Sequence, residues 1–271
     1  MRKRIAALAV AAVLAGTLTT AAHAHAPTRE RAERESRDSA PTIVLMHGAF
    51  EDATAWAGVT RRLQSAGYRV IAPAVPLRGI SADVAYLDSV MRTVQGPVVL
   101  AGHSYGGVII SSLAARYPAR VAALVYVAAL IPQTGDTINE LQVQFPGTTL
   151  GPDTTYTADY PGGTDMYVRP ESYRSVLAGD RTASDAAVAA ATQRPLNTAV
   201  FTEETTTQAP ADIPKFAMIA TRDRAVVPAA QQFQAERAGA RIYPVCSAHD
   251  MPVSHPSAVA SVIEEAAAGA G

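Results

Sequence analysis

The pentapeptide Gly102-His103-Ser104-Tyr105-Gly106 constrains this chain more than any other feature. It follows a β-prone run, residues 97–101, and it opens a stretch, 105–117, whose apolar residues have helical spacing and which stops before Pro118. A strand that becomes a helix within so few residues needs a sharp turn. Gly102 and Gly106 remove side chains that would collide across it. A serine at the apex then stands in a strained backbone conformation. The helix behind it points free N–H groups at the site, which favours developing negative charge. This strand–turn–helix context is the condition under which G-x-S-x-G reads as a nucleophile elbow.

The flanking sequence repeats the same rhythm. Short apolar runs at 42–46, 69–72, 97–101, 121–127, 215–220 and 240–245 predict strands. Helical spacing predicts helices over 52–66, 81–94 (with Ser81 as N-cap), 105–117 and 257–268. Alternation of this kind predicts an α/β fold, a mostly parallel sheet with helices on both faces. Residues 132–212 break the rhythm and are rich in Thr, Gly, Pro and Asp. Short helices are expected there at 137–145, 170–177 and 184–192. An insertion of that length is no ordinary loop, and it is expected to form a helical lid over the sheet edge where sites of such folds lie.

Composition excludes several classes. At 48% hydrophobic residues the chain can bury a sizeable core. A net charge of -1 argues against electrostatic binding of nucleic acid. One cysteine, Cys246, rules out a disulfide framework and a Cys-rich zinc site, and a buried hydrophobic role is expected for it. Arg2, Lys3 and Arg4, an apolar run from Ile5 to Leu18, and Ala22-His23-Ala24 have the order of a secretory signal, with cleavage expected after Ala24 and no stable membrane span afterwards. Residues 25–41 are charged and poor in large apolar side chains, as in a solvated linker, and 42–271 form the folded domain.

A serine needs a base to take its proton. His249 lies in the loop after the last strand, at the same sheet edge as the elbow, and is the expected base, with His255 as runner-up. His47 is expected to prop the loop after the first strand, and His103 to pack in the core. The carboxylate that orients the base is expected to be Asp223, which follows the strand at 215–220. Asp250 and Asp136 are its rivals. The chain order Ser104, Asp223, His249 matches the order of such triads. Backbone N–H groups of Ala49 and Tyr105 are the expected oxyanion hole. Phe50, Trp56, Leu141, Phe145, Tyr167 and Phe201 are candidates for lining the substrate site.

These motifs, Ile43-Val44-Leu45-Met46-His47-Gly48-Ala49 with Trp56 beyond, Gly102 to Gly107, Thr221-Arg222-Asp223 and His249 to Pro256, resemble the α/β-hydrolase superfamily. Within it the chain is similar to the small esterases that include plant methyl esterases and hydroxynitrile lyases. The resemblance runs from about Pro41 to the C-terminus. It implies the α/β-hydrolase fold and a serine hydrolase that cleaves carboxylic esters through an acyl-enzyme, without metal or cofactor, beneath a helical cap; the leader pattern adds the expectation that this hydrolase is secreted. The lyases of this branch place a Lys directly after the catalytic His and a Thr after the His of the first strand. Here Asp250 and Gly48 stand at those positions, and a carboxylate would repel departing cyanide. A lyase, a cofactor-free perhydrolase or a ligand-binding receptor on the same fold is the alternative reading.

Overall fold

Every residue of strand β1 (Thr42–Met46) is buried, because a central parallel strand is covered on both faces. In this computed structural model, which describes residues 40–269, β1 is flanked by β2 (Val70–Ile71) and β3 (Val98–His103). Beyond β3 come β4 (Val121–Val127), β8 (Lys215–Ala220) and β9 (Arg241–Val245), giving the order β2-β1-β3-β4-β8-β9 with every pair parallel. The expected leader, 1–24, and all but the last two residues of the expected linker, 25–41, lie outside the described residues.

Side chains alternate across the sheet, as the two-residue period of a strand requires. Ile43, Leu45, Val99, Ala101 and Val125 enter one apolar layer with Leu63 of helix α1 (Ala57–Ser65) and Ile263 of helix α9 (Pro256–Ala268). Val44, Met46, Leu100, Leu124 and Tyr126 enter the other layer. There they meet α2 (Ile80–Met91), α3 (Gly106–Arg116) and α7 (Pro228–Arg237). The expected α/β architecture with helices on both faces is therefore present. α7 was not expected from the sequence, and Ser81 is not an N-cap. Ser81 lies inside α2, whose first N–H groups are capped from the distant Glu203: its carboxylate accepts from Ile80 N at 2.7 Å and from Ser81 N at 2.8 Å.

Between β4 and β8 the chain forms the lid. Its helices α4 (Ile138–Val143), α5 (Pro170–Val176) and α6 (Ala183–Thr192) fall where short helices were expected. It also carries a small antiparallel sheet of β5 (Thr155–Tyr160), β6 (Gly163–Val168) and β7 (Leu196–Asn197), in that order. This sheet is not legible in the sequence, because most of β5 is solvent-exposed and shows no apolar alternation. Cross-strand stacking of Tyr156 on Tyr167, centroids 5.1 Å apart, pins its register. Because the main strands run parallel, the loops after β1, β3, β8 and β9 all emerge at one edge, and the candidate residues sit on those loops.

Candidate active site

Ser104 tops the turn from β3 into α3 with φ +52°, a left-handed conformation that costs a non-glycine residue free energy. The turn is held because neighbouring chains approach too closely for side chains. A Cβ on Gly102 would lie 2.5 Å from the Gly106 carbonyl oxygen, and one on Gly106 would lie 2.4 Å from that of Met46. The Ser104 carbonyl accepts from Gly107 N and Leu130 N, which fixes the strained residue in place.

Three distant segments meet at this serine. His249 Nε2 lies 2.9 Å from Ser104 Oγ, and its Nδ1 lies 2.6 Å from Asp223 Oδ2. The Asp223 side chain is fully buried. Its Oδ1 accepts from Ala225 N at 2.8 Å and Val226 N at 3.0 Å, and its Oδ2 also accepts from Gln231 Nε2 at 2.8 Å. A carboxylate that accepts from four donors is fixed in orientation. It therefore holds the proton of His249 on Nδ1 and leaves Nε2 free to accept from the serine.

The rival residues are engaged elsewhere. Asp136 pairs with Arg237 at 2.5 Å. Asp250 pairs with Arg181 of the lid, and burial, which outweighs that pairing, raises its pKa. His255 stands at the N-cap of α9 and bonds Ser254. His47 donates from Nδ1 to the Gly48 carbonyl at 2.8 Å and accepts at Nε2 from Val75 N at 2.9 Å. Burial lowers its pKa, so it stays neutral, as that bonding pattern requires. It thereby braces the peptide that carries the Ala49 N–H. Among the described residues, neither the Ala49 nor the Tyr105 N–H is donated to a protein acceptor. The Tyr105 ring is anchored through its hydroxyl to Asp83 Oδ2 at 2.8 Å, and burial beside that carboxylate raises its pKa well above the ordinary phenol range.

The lid is laced to the base loop. Asp180 accepts from Ala248 N at 2.7 Å and from Arg222 at 2.5 Å, the Leu177 carbonyl accepts from Asp250 N at 3.1 Å, and Arg181 pairs with Asp250. Under the lid, Ser104, His249, Ala49 and Tyr105 line a small cavity of about 20 Å³. Its other walls are apolar except for Gln142, and among the described residues no Lys or Arg lines it.

Of the sequence-predicted lining residues, Phe50 and Phe201 face this cavity and four do not. Trp56 is wholly buried in the layer between the sheet and α1/α9, so it is a core residue rather than a substrate contact. Phe145 packs on Phe233 of α7, centroids 5.6 Å apart. Leu141 is buried in the core, and Tyr167 stacks on Tyr156. Cys246 is exposed, contrary to its expected burial, because it lies just past the end of edge strand β9. Sequence reasoning missed Gln142 and Leu150. Gln142 lies one turn after Ile138, which also lines the cavity, so helical spacing contained that signal.

Among the described residues no cluster of His, Cys, Asp or Glu is placed to hold a metal, and no helix is long and apolar enough to cross a membrane.

A parallel sheet in this order, a strained serine between strand and helix, and a lid inserted after β4 define a capped α/β-hydrolase-fold protein. The chain belongs to the alpha/beta hydrolase family, whose model matches residues 43–262. It is 33% identical over 111 residues to a carbendazim hydrolyzing esterase of Nocardioides sp., covering 36% of this chain and 46% of that protein. It is 35% identical over 106 residues to a pyrethroid hydrolase of Sphingobium wenxiniae, covering 35% of this chain and 38% of that protein. These matches span less than half the length of either relative. In three dimensions it is similar to polyneuridine aldehyde esterase (TM-score 0.72, 19% identity, 83% of this chain and 98% of that one). It is equally similar to tomato methylketone synthase I (TM-score 0.72, 18% identity, 86% and 99%). At such identities the likeness is one of fold.

Proposed function

We propose that the protein hydrolyses small carboxylic esters, with Ser104 as nucleophile, His249 as general base and then acid, and Asp223 as the group that orients His249. The observation that carries this reading is the hydrogen-bonded row from Ser104 Oγ through His249 to Asp223, at 2.9 and 2.6 Å. Ser104 Oγ adds to the ester carbonyl while its proton passes to His249 Nε2. The carbonyl oxygen becomes an oxyanion bound by the Ala49 and Tyr105 N–H groups, each worth about 3 kcal/mol to such a transition state. Collapse breaks the bond to the alcohol, which leaves with the proton from His249. Water then attacks the acyl-serine, gives its proton to His249, and the acid departs as Ser104 recovers that proton. Both curated relatives described above are hydrolases by name, and one is an esterase, which favours hydrolysis here.

The cavity favours a neutral, apolar substrate. Among the described residues no Lys or Arg lines it to hold a carboxylate or phosphate, and its walls include Leu130, Ile138, Leu150, Leu177 and Phe201. A volume of about 20 Å³ holds about one water molecule, so the bulk of an ester must extend outward. Gln142, Leu150 and Phe201 also line an outer groove of about 750 Å³ beside α4 and the β5–β6 hairpin, and this groove takes the longer apolar arm. In a series of p-nitrophenyl esters, Leu150→Ala is expected to raise kcat/KM for the hexanoate over the acetate about 10-fold. An unchanged ratio contradicts the assignment of the outer groove. The wild-type chain must hydrolyse some member of that series, and failure on all of them counts against the esterase reading.

The leader pattern at 1–24 supports export and cleavage after Ala24. N-terminal sequencing of protein recovered outside the producing cell is expected to read His25-Ala26-Pro27. A chain that keeps Met1 contradicts this.

A further inference from the structure

We propose that Glu51 is a positioning residue that ties the oxyanion loop, the nucleophile elbow and the base loop into one rigid unit. The proposal rests on the hydrolase reading above. A single oxygen of its carboxylate, Oε1, accepts from Gly48 N at 2.7 Å and from His103 Nδ1 at 2.5 Å. The other ring nitrogen of His103, Nε2, donates to the His249 backbone carbonyl at 2.9 Å. Gly48 directly precedes Ala49, and His103 directly precedes Ser104. One carboxylate and one imidazole thus connect the backbone at all three groups that must meet the ester carbonyl. The His103 and His249 rings lie with centroids 4.8 Å apart.

The charge state follows from the geometry. Both nitrogens of His103 face acceptors, so both carry protons and the ring is an imidazolium. A buried imidazolium needs a buried anion beside it, and the two side chains are 2% and 11% exposed. Burial alone would lower the His103 pKa, but the Glu51 charge and hydrogen bond turn the shift upward. Burial alone would raise that of Glu51, but His103 chiefly, with the Gly48 N–H, holds it down at about 2.

Glutamine has almost the same shape and cannot do this work. Its amide oxygen at the Oε1 position accepts from Gly48 N, but it offers no charge to keep His103 doubly protonated. A neutral His103 that still donates to the His249 carbonyl presents a bare Nδ1 to that oxygen, and the contact becomes repulsive. If the proton moves to Nδ1, the bond to His249 is lost. With the amide turned round, its NH2 faces the Gly48 N–H. One of the three loops is released in every arrangement.

Glu51 does not line the catalytic cavity, so its loss moves kcat rather than KM. With reactive Ser104 counted by fluorophosphonate titration, Glu51→Gln is expected to lower kcat per titrated site about 10- to 100-fold, the cost of small misplacements among reacting groups. KM should stay within about twofold, and the rate of fluorophosphonate labelling should fall in step with kcat. The double variant Glu51→Gln/His103→Gln should lose little more than the worse single variant, because the pair acts as one unit. Should Glu51→Gln not accumulate, Glu51→Asp carries the same expectation, since a side chain one methylene shorter keeps the charge but cannot span both partners. A variant with a lowered melting temperature but wild-type kcat per titrated site overturns the proposal and makes Glu51 merely structural. A wild-type chain that does not label at Ser104 overturns the hydrolase reading, and this proposal with it.

Discussion

Ser104→Ala is expected to lower ester hydrolysis about 10⁴- to 10⁶-fold in kcat, the range that follows when the nucleophile of such a triad is deleted. The substitution removes one oxygen from a residue that is 9% exposed and leaves the backbone bonds of the turn intact. The melting temperature should therefore stay close to that of the wild type. His249 still bonds Asp223, and the Ala49 and Tyr105 N–H groups remain, so a small residual rate above the uncatalysed one is expected from the oxyanion site alone. Parallel assays of kcat and thermal unfolding on one preparation check this. Activity within tenfold of wild type means that the attacking group is not Ser104.

Asp223→Asn is expected to cost about 10³- to 10⁴-fold in kcat, for a reason visible in its bonding. Asp223 Oδ1 faces two backbone N–H groups, and Oδ2 faces Gln231 Nε2 and His249 Nδ1. An asparagine NH2 in the Oδ2 position meets the Gln231 donor and drives the His249 proton to Nε2, where the base can no longer accept from Ser104. Turned round, the NH2 meets the N–H groups of Ala225 and Val226. Either way a buried donor loses its acceptor, at about 1–3 kcal/mol of stability. Unlike Ser104→Ala, this variant should lose activity and melting temperature together. Steady-state kinetics with thermal unfolding separates the two, and a fully active Asp223→Asn removes Asp223 from the mechanism.

The central strands were legible in the sequence because each is a short apolar run that the sheet buries on both sides, as in β1 and β4. The elbow was legible because its glycines and its place between strand and helix are local properties. What lay beyond reach was polar or long-range. Helix α7 shows no apolar stripe, since its buried face includes Gln231 and Gln234. Those glutamines bond Ala220 N and Ile131 N, so the helix is held by polar contacts that periodicity does not register. The cap on α2 comes from Glu203, far along the chain, while nearby Ser81 offered a plausible local substitute. Nothing in Phe50-Glu51-Asp52 singles out Glu51, and only the fold brings His103 to it. Trp56 lies close in sequence to the oxyanion loop, but the short 3-10 turn Ala53–Trp56 carries it to the opposite face of the sheet, into the core layer.

The account depends on Ser104 being a hydroxyl made reactive by its neighbours. Incubation of the full chain with a fluorophosphonate, followed by intact mass and peptide mapping, tests that directly. One adduct per chain, on Ser104, that disappears in Ser104→Ala is the predicted result. A folded wild-type chain that stays unlabelled, or is labelled on another residue, contradicts it.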